Sequence, residues 1–284
     1  MNKIIIISGP TASGKTARAI EFCKKNNGEI ISCDSRQIYK YLDIGTNKEG
    51  IFIHDGLRKV AGISQYLTDI VDPDKIYSAI KFTRDSDVKI SEIFKRGKIP
   101  VITGGTGLYI KTLIYGFDEM PEANEVLRKE FMLQSQEQLY NRLLKLDPES
   151  AKRNKLNPQR LIRALEINIL SGKTIGEHFK SKKLRYNFDH YSISVSNKIL
   201  YEKIDKRCKY MIENGMIEET QKVLSMGFDR KCPALSGIGY KQIVQYLDNK
   251  ISKNTLVLEF SKNTRHYAKR QITWFKSQPE VKFI

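Results

Sequence analysis

Three features of the chain predict an α/β fold, a parallel sheet flanked by helices with a separate helical lobe inserted into it. Short apolar runs at 3–7, 29–33 and 98–103 alternate with helix-like segments, as strands buried on both faces by crossover helices do. A glycine-rich turn follows the first run directly. After Gly116 the β-branched runs give way to helical periodicity.

Taken in order, residues 3–7 (KIIII) read as a strand that stops at Ser8-Gly9-Pro10, and Ala17, Ala19, Ile20 and Phe22 then recur at helical spacing. Glu29 to Cys33 and Lys98 to Thr103 read as two further strands with helix-like segments between them. Helices are expected at 122–133, 135–146 and 157–171, the last with a stripe of Leu161, Ala164, Leu165 and Leu170. A strand at Tyr191 to Val195 should return the chain to the sheet, followed by helices at 198–214, 216–226, 239–248 and 254–275. The expected domains are therefore a core of residues 1–116 and 191–284 and a helical insertion of residues 117–190. No internal repeat or low-complexity linker is evident.

The 284 residues suffice for one substantial core with an appended lobe. Lys and Arg number 49 against 32 Asp and Glu, a formal charge of +17, which attracts a polyanion and speeds encounter with it. Residues 191–284 alone carry 17 basic and 9 acidic side chains, so the excess is densest towards the C-terminal end, and nucleic acid is the natural partner. Cys23, Cys33, Cys208 and Cys232 lack C-x-x-C spacing and no histidine clusters with them, which argues against a zinc site or a disulfide framework. The apolar stretch Ile4 to Ile7 is too short for a signal sequence or a membrane span, so a cytoplasmic location is expected.

Gly9-Pro10-Thr11-Ala12-Ser13-Gly14-Lys15-Thr16 fits G-x-x-x-x-G-K-[ST] between a strand and a helix, the context that makes the pattern a P-loop. Its backbone N–H groups and the helix N-terminus cradle an anion, Lys15 adds a mobile cation, and Thr16 is the expected magnesium ligand. Together with the strands, this predicts a P-loop NTPase-like core. Two parts of an ATP- or GTP-using enzyme are missing. The strand ending at Thr103 runs into Gly104-Gly105-Thr106 with no aspartate for magnesium, and no Asn-Lys-x-Asp occurs.

The acid at a strand end is instead Asp34. Strand ends in a parallel sheet share one crevice, so its carboxylate should face the phosphates and take a proton from a nucleophile attacking carbon beside a diphosphate. An N-cap or turn aspartate is the equally open alternative.

GPTASGKT at 9–16, DSRQIYKYLDIGT at 34–46, VDPDKIYSA at 71–79, GGTGLYIK at 104–111, PQRLIRALEI at 158–167, SGIGYKQ at 236–242 and TRHYAKRQITWF at 264–275 together resemble the tRNA dimethylallyltransferase family in its compact bacterial form. The resemblance implies magnesium, dimethylallyl diphosphate as donor, and the anticodon stem-loop of tRNA as partner. The acceptor would be the N6 amine of the adenosine 3′-adjacent to the anticodon, in tRNAs reading codons that begin with U. It also implies Asp34 as general base, and Thr106 and Arg207 as catalytic groups that contact the diphosphate.

For tRNA it implies Asp34, Ser35, Arg36, Gln37 and Thr106 at the crevice, Arg128 and the run Gln159, Arg160, Leu161, Ile162 and Arg163 in the insertion, and Gly237, Tyr240, Lys241, Lys269, Arg270, Gln271 and Trp274 beyond it. Arg160 and Arg163 share a helix face and are expected to grip consecutive phosphates. The chain departs from the family where Gln65-Tyr66-Leu67-Thr68-Asp69 replaces a histidine pair before Leu-Ile-Asp, and where Glu49 to Ser64 replaces an Ala-Lys-Pro passage. A monomer suffices for all of this. The alternatives are a small-molecule or nucleoside kinase, which would transfer phosphate from labelled ATP, and an RNA-binding module, which would leave tRNA mass unchanged.

Overall fold

The computed structural model describes residues 3–116, 120–179 and 184–284. It divides into two compact units, 1–114 with 186–284, and 115–185. The expected boundary at 117 lies outside the described residues, and the one at 190 falls within a strand.

The first unit opens with β1 (Lys3–Ser8), α1 (Lys15–Asn26) and β2 (Gly28–Ser32), then β3 (Ile51–His54), β4 (Leu57–Val60) and β5 (Ile63–Tyr66). α2 (Ala79–Lys95), β6 (Ile99–Gly104) and α3 (Gly107–Tyr115) follow. After the second unit come β7 (Asn187–Ser192), α8 (Asn197–Glu213), α9 (Met216–Ser225), α10 (Tyr240–Leu247), α11 (Lys253–Lys276) and β8 (Val281–Phe283). The described strands form one sheet in the order β3-β4-β5-β2-β6-β1-β7-β8. From β5 to β8 every pairing is parallel. β1 lies between β6 and β7, which is why Ile4 and Ile6 are fully buried in so short a run.

The expected all-parallel sheet needs a correction at one edge. β3 and β4 pair antiparallel, as do β4 and β5, through tight turns at Asp55-Gly56 and at Ala61-Gly62. Gly56, Ala61 and Gly62 have positive φ there, the geometry tight hairpin turns use. The returning strand also starts earlier than expected, at Asn187, and ends at Ser192, because Ser196 already opens α8.

α1 packs Ala19 and Cys23 against Ile5, Ile7, Ile30 and Val101 of the sheet. The C-terminal helices bury a second core, in which Ile204, Cys208 and Met211 of α8 meet Leu256, Phe260 and Ala268 of α11. Each isoleucine, valine, leucine, methionine and phenylalanine among them contributes about 1.5–3 kcal/mol on burial. All four cysteines are buried and unbridged.

The second unit comprises α4 (Glu125–Met132), α5 (Gln136–Leu146), α6 (Pro148–Asn154) and α7 (Pro158–Ser171). The sequence starts these helices with strong caps: Asn124, Ser135, Asp147 and Asn157 each accept a backbone N–H of the first turn. Phe131, Leu139, Leu143, Ala151, Leu161, Ala164 and Leu165 form its core. Leu170, expected on the buried stripe, is 42% exposed, since the core ends a turn before Gly172 stops the helix.

Candidate active site

The loop from Ser8 to Lys15 turns through Gly9 (φ 153°), Ala12 (φ 64°) and Gly14 (φ 87°). No side chain caps α1 at Gly14, so its first-turn N–H groups are left to an anion. A Cβ on Gly9 would meet the Ser13 hydroxyl at 2.8 Å, which together with the positive φ disfavours larger residues there. That hydroxyl is buried and has no partner among the described residues.

The loop forms one wall of a cleft of about 640 Å³. Thr11, Ala12, Gly14, Lys15 and Thr16 line it, with Asp34 to Gln37 from the end of β2, Thr103 and Gly104 from β6, and Arg207 from α8. Met211, Ile238 and Phe260 add apolar surface, and Tyr267 and Arg270 of α11 complete the lining. Strand-end chemistry and cradle thus meet, as the parallel register dictates.

Lys15 donates to the Pro10 carbonyl at 3.4 Å. Burial lowers its pKa to about 8, with Asp34 opposing the shift and the Arg207 guanidinium adding to it. Burial likewise lowers the pKa of Arg207, partly offset by Asp34. Arg207 donates through Nη2 to the Thr11 hydroxyl, and its Nε is buried without a partner among the described residues. Two cations held partly dehydrated beside one carboxylate make a site that favours a polyanion.

Asp34 Oδ1 accepts the N–H groups of Arg36 at 2.8 Å and Gln37 at 3.4 Å. It therefore caps its turn and faces the cleft at once, and the two readings of this residue are not exclusive. Thr106 is placed behind that turn, outside the cleft lining. Its hydroxyl oxygen accepts from the Ser35 N–H at 3.1 Å, so in this structure it supports the loop bearing Asp34.

The residues expected at tRNA separate into exposed and buried sets. Gln159, Arg160, Lys241, Lys269 and Arg270 are exposed, and Ser35, Arg36, Ile162 and Trp274 are half-buried. His266, Lys269, Arg270, Thr273 and Trp274 line a shallow basic and aromatic groove along α11. Leu161, Tyr240, Gln271 and Gly237, expected at RNA, are buried in this structure. Leu161 faces the core of the helical unit, and the Tyr240 hydroxyl donates to Glu219 at 2.6 Å.

Gln37 lines the cleft but its amide is spent on Ser32, Thr46 and Asn47. Arg128 and Arg163 both pair with Glu166, itself fully buried, and Arg163 also donates to the Pro121 carbonyl. Of the pair Arg160 and Arg163, expected to grip consecutive phosphates, Arg163 is engaged within the fold in this structure and Arg160 is exposed.

Sequence reasoning missed Glu219. From α9 it accepts the backbone N–H groups of Asp43, Ile44 and Gly45 at 2.5, 2.7 and 3.1 Å, fixing the loop that carries Gly45, Thr46, Asn47 and Glu49 into the cleft wall. A lone glutamate on an amphipathic helix gives no signal of such a role. Tyr267 was missed as a cleft residue too; burial pushes its phenol well above the usual range.

The chain matches the family described as IPP transferase over residues 37–278. A tRNA dimethylallyltransferase of Endomicrobium trichonymphae is 71% identical over 281 residues, covering 99% of this chain and 94% of that protein. Another, of Clostridioides difficile, is 41% identical over 291 residues, covering 99% and 91%. Among solved structures, the full-length tRNA isopentenylpyrophosphate transferase of Bacillus halodurans superposes with a TM-score of 0.73 at 34% identity, over 100% of this chain and 90% of that one. A eukaryotic dimethylallyltransferase acting on tRNA gives a TM-score of 0.82 at 27% identity, over 100% and 74%.

Proposed function

The chain belongs to the IPP transferase family and is a prenyl-group transferase that modifies tRNA, and from this we propose how its cleft carries out the transfer. The donor is dimethylallyl diphosphate, and its diphosphate rests on residues 9–16. The observation that supports this is the meeting of Lys15, Thr16, Arg207 and Asp34 in one cleft, with no acidic residue at the end of β6.

The acceptor is the N6 amine of the adenosine 3′-adjacent to the anticodon, in tRNAs reading codons that begin with U. That base must leave its stack to reach a cleft of this depth. The amine nitrogen forms a bond to the first carbon of the prenyl group as the bond from that carbon to the diphosphate oxygen breaks, and the electron pair leaves with the diphosphate. Lys15, Arg207 and the α1 N-terminus stabilise the charge growing on the leaving group. Asp34, whose Oδ1 is held by the Arg36 N–H, takes the proton from nitrogen. Water need not be aimed at phosphorus, so a strand-end aspartate on β6 is dispensable.

Magnesium fits the donor set. It keeps several waters and takes few protein oxygens when a diphosphate supplies the rest, and the Thr16 hydroxyl at the start of α1 lines the cleft. When bound, the ion would neutralise charge on the departing diphosphate. All the groups named lie on one chain, so the reading requires no second copy, and a tRNA substrate accords with a cytoplasmic location. No helix among the described residues is long and apolar enough to cross a membrane.

The test is to incubate the protein with magnesium, dimethylallyl diphosphate and tRNA, then digest the RNA and weigh its nucleosides. A mass gain of one prenyl group on adenosine is expected, and phosphoryl transfer from ATP in its place would support a kinase. Asp34→Asn keeps the cap but cannot take the proton, so its single-turnover rate should fall by about 10²–10⁴ with both substrates saturating. A rate within about threefold of wild type would remove Asp34 from the role of base.

A further inference from the structure

We infer that Gln271 is a positioning residue for the transfer, a buried crossbar that holds the diphosphate cradle and the loop supporting Asp34 in one register. The inference rests on the transferase reading above. Gln271 lies on α11 and is 6% exposed. Its Oε1 accepts the N–H of Thr11 in the cradle at 2.9 Å, and its Nε2 donates to the carbonyl of Gly105 at 2.9 Å.

The chemistry of the two partners specifies the side chain. A backbone N–H can only donate and a carbonyl can only accept, so a neutral primary amide in one orientation serves both. A glutamate of the same length would keep the first bond and set lone pairs against lone pairs at the second. Buried, that mismatch is costly.

Each end of the crossbar leads to a group proposed to act on the reacting atoms. At one end, Thr11 is also held through its hydroxyl by Nη2 of Arg207. At the other, Gly105 is followed by Thr106, whose hydroxyl oxygen accepts from Ser35, and Asp34 caps the same turn through Arg36. The fit is close: a Cβ on Gly105 would lie 2.2 Å from Gln271 Nε2, and one on Gly107 would lie 2.5 Å from the Trp274 ring. α11 is thus seated directly on the loop between β6 and α3. In a displacement reaction, a misplacement of about 1 Å between nucleophile and carbon costs on the order of 10²-fold in rate.

The experiment measures single-turnover transfer with both substrates saturating, the Kd for tRNA, and folding by circular dichroism. The variants are Gln271→Glu, Gln271→Met, Gln271→Ala and Gly105→Ala. The rate should fall about 10- to 100-fold in each folded variant, with tRNA affinity within about threefold of wild type. Gly105→Ala attacks the same bond from the other side and keeps the amide, so it still decides if Gln271→Met does not fold. The double variant Gly105→Ala with Gln271→Ala should be no slower than Gln271→Ala alone.

Rates near wild type in folded variants, additive losses in the double variant, or a tenfold weaker tRNA Kd with an unchanged rate, which would make Gln271 an RNA contact, each overturn the inference. An absence of transfer by wild type would instead overturn the transferase reading on which it rests.

Discussion

Donor binding should weaken as pH rises through 8, and Lys15 sets where. Burial lowers its pKa to about 8, so the free enzyme carries this charge in about 90% of molecules at pH 7 and in roughly 10% at pH 9. The diphosphate binds the charged form, so raising pH removes an attraction and affinity falls. The apparent Kd should rise about tenfold between pH 7 and 9, with a slope approaching one decade per pH unit above 8. Bound diphosphate raises the pKa of Lys15 in the complex, so no plateau intervenes in this range. Cys33 and Tyr267 do not contribute, because burial pushes both further up. The assay is calorimetric titration with an unreactive diphosphate at fixed magnesium. Lys15→Arg, whose guanidinium stays charged, is the control and should bind without the bend. A wild-type Kd constant within about twofold, or the same bend in Lys15→Arg, would refute the reasoning.

Two further outcomes concern stability. His190 on β7 is 1% exposed, meets the Ser8 hydroxyl at 2.9 Å and leaves Nδ1 unpartnered among the described residues; burial lowers its pKa to about 4. The unfolded chain therefore binds the proton first as pH falls, so stability is full above about 6.5 and declines towards 4, by about 2–3 kcal/mol between pH 7.5 and 4.5. Urea unfolding of wild type and His190→Gln at both pH values should show that difference, and equal pH dependence would contradict it. Glu166→Ala strips Arg128, Arg163 and the Asn124 N–H of a common acceptor. The loss should be about 3 kcal/mol, at the low end for a buried pair, because the arginine side chains are 35% and 32% exposed and can turn to water. Amide exchange in α4 and α7 should then accelerate about 10²-fold, and unchanged protection would count against the role.

Much of the site was legible because its chemistry is local to strand ends. Asp34 follows an apolar run directly, Lys15 and Thr16 follow one across the glycine-rich loop, and parallel strands bring such ends together whatever else the chain does. β3, β4 and β5 were not read. Ile51, Phe52 and Ile53 are all exposed on an edge strand, so no alternation marks them, although Asp55-Gly56 and Ala61-Gly62 carry the turn chemistry of two hairpins. α6 was missed at seven residues, too short for periodicity, with only Asp147-Pro148 to announce it. The burial of Tyr240 and Gln271 was illegible, since a helix sequence shows a polar residue but not which neighbour claims it. The pairing of Arg163 with Glu166 was legible in principle at a spacing of three on one helix.

β1 has a partner on each side, and those partners are encoded on either side of the 71 residues of the helical unit, 115–185. β6 ends at Gly104 and β7 begins at Asn187, so during synthesis at about 5–20 residues per second β7 begins to emerge roughly 4–17 seconds after β6. Through that interval Ile4 to Ile7 present an open apolar edge, while α4 to α7, built from contiguous chain, already have what they need to close their own core. The nascent protein thus holds an apolar strand with one side unpaired, and slower decoding of residues 115–185 lengthens the time in which that edge can pair with another chain.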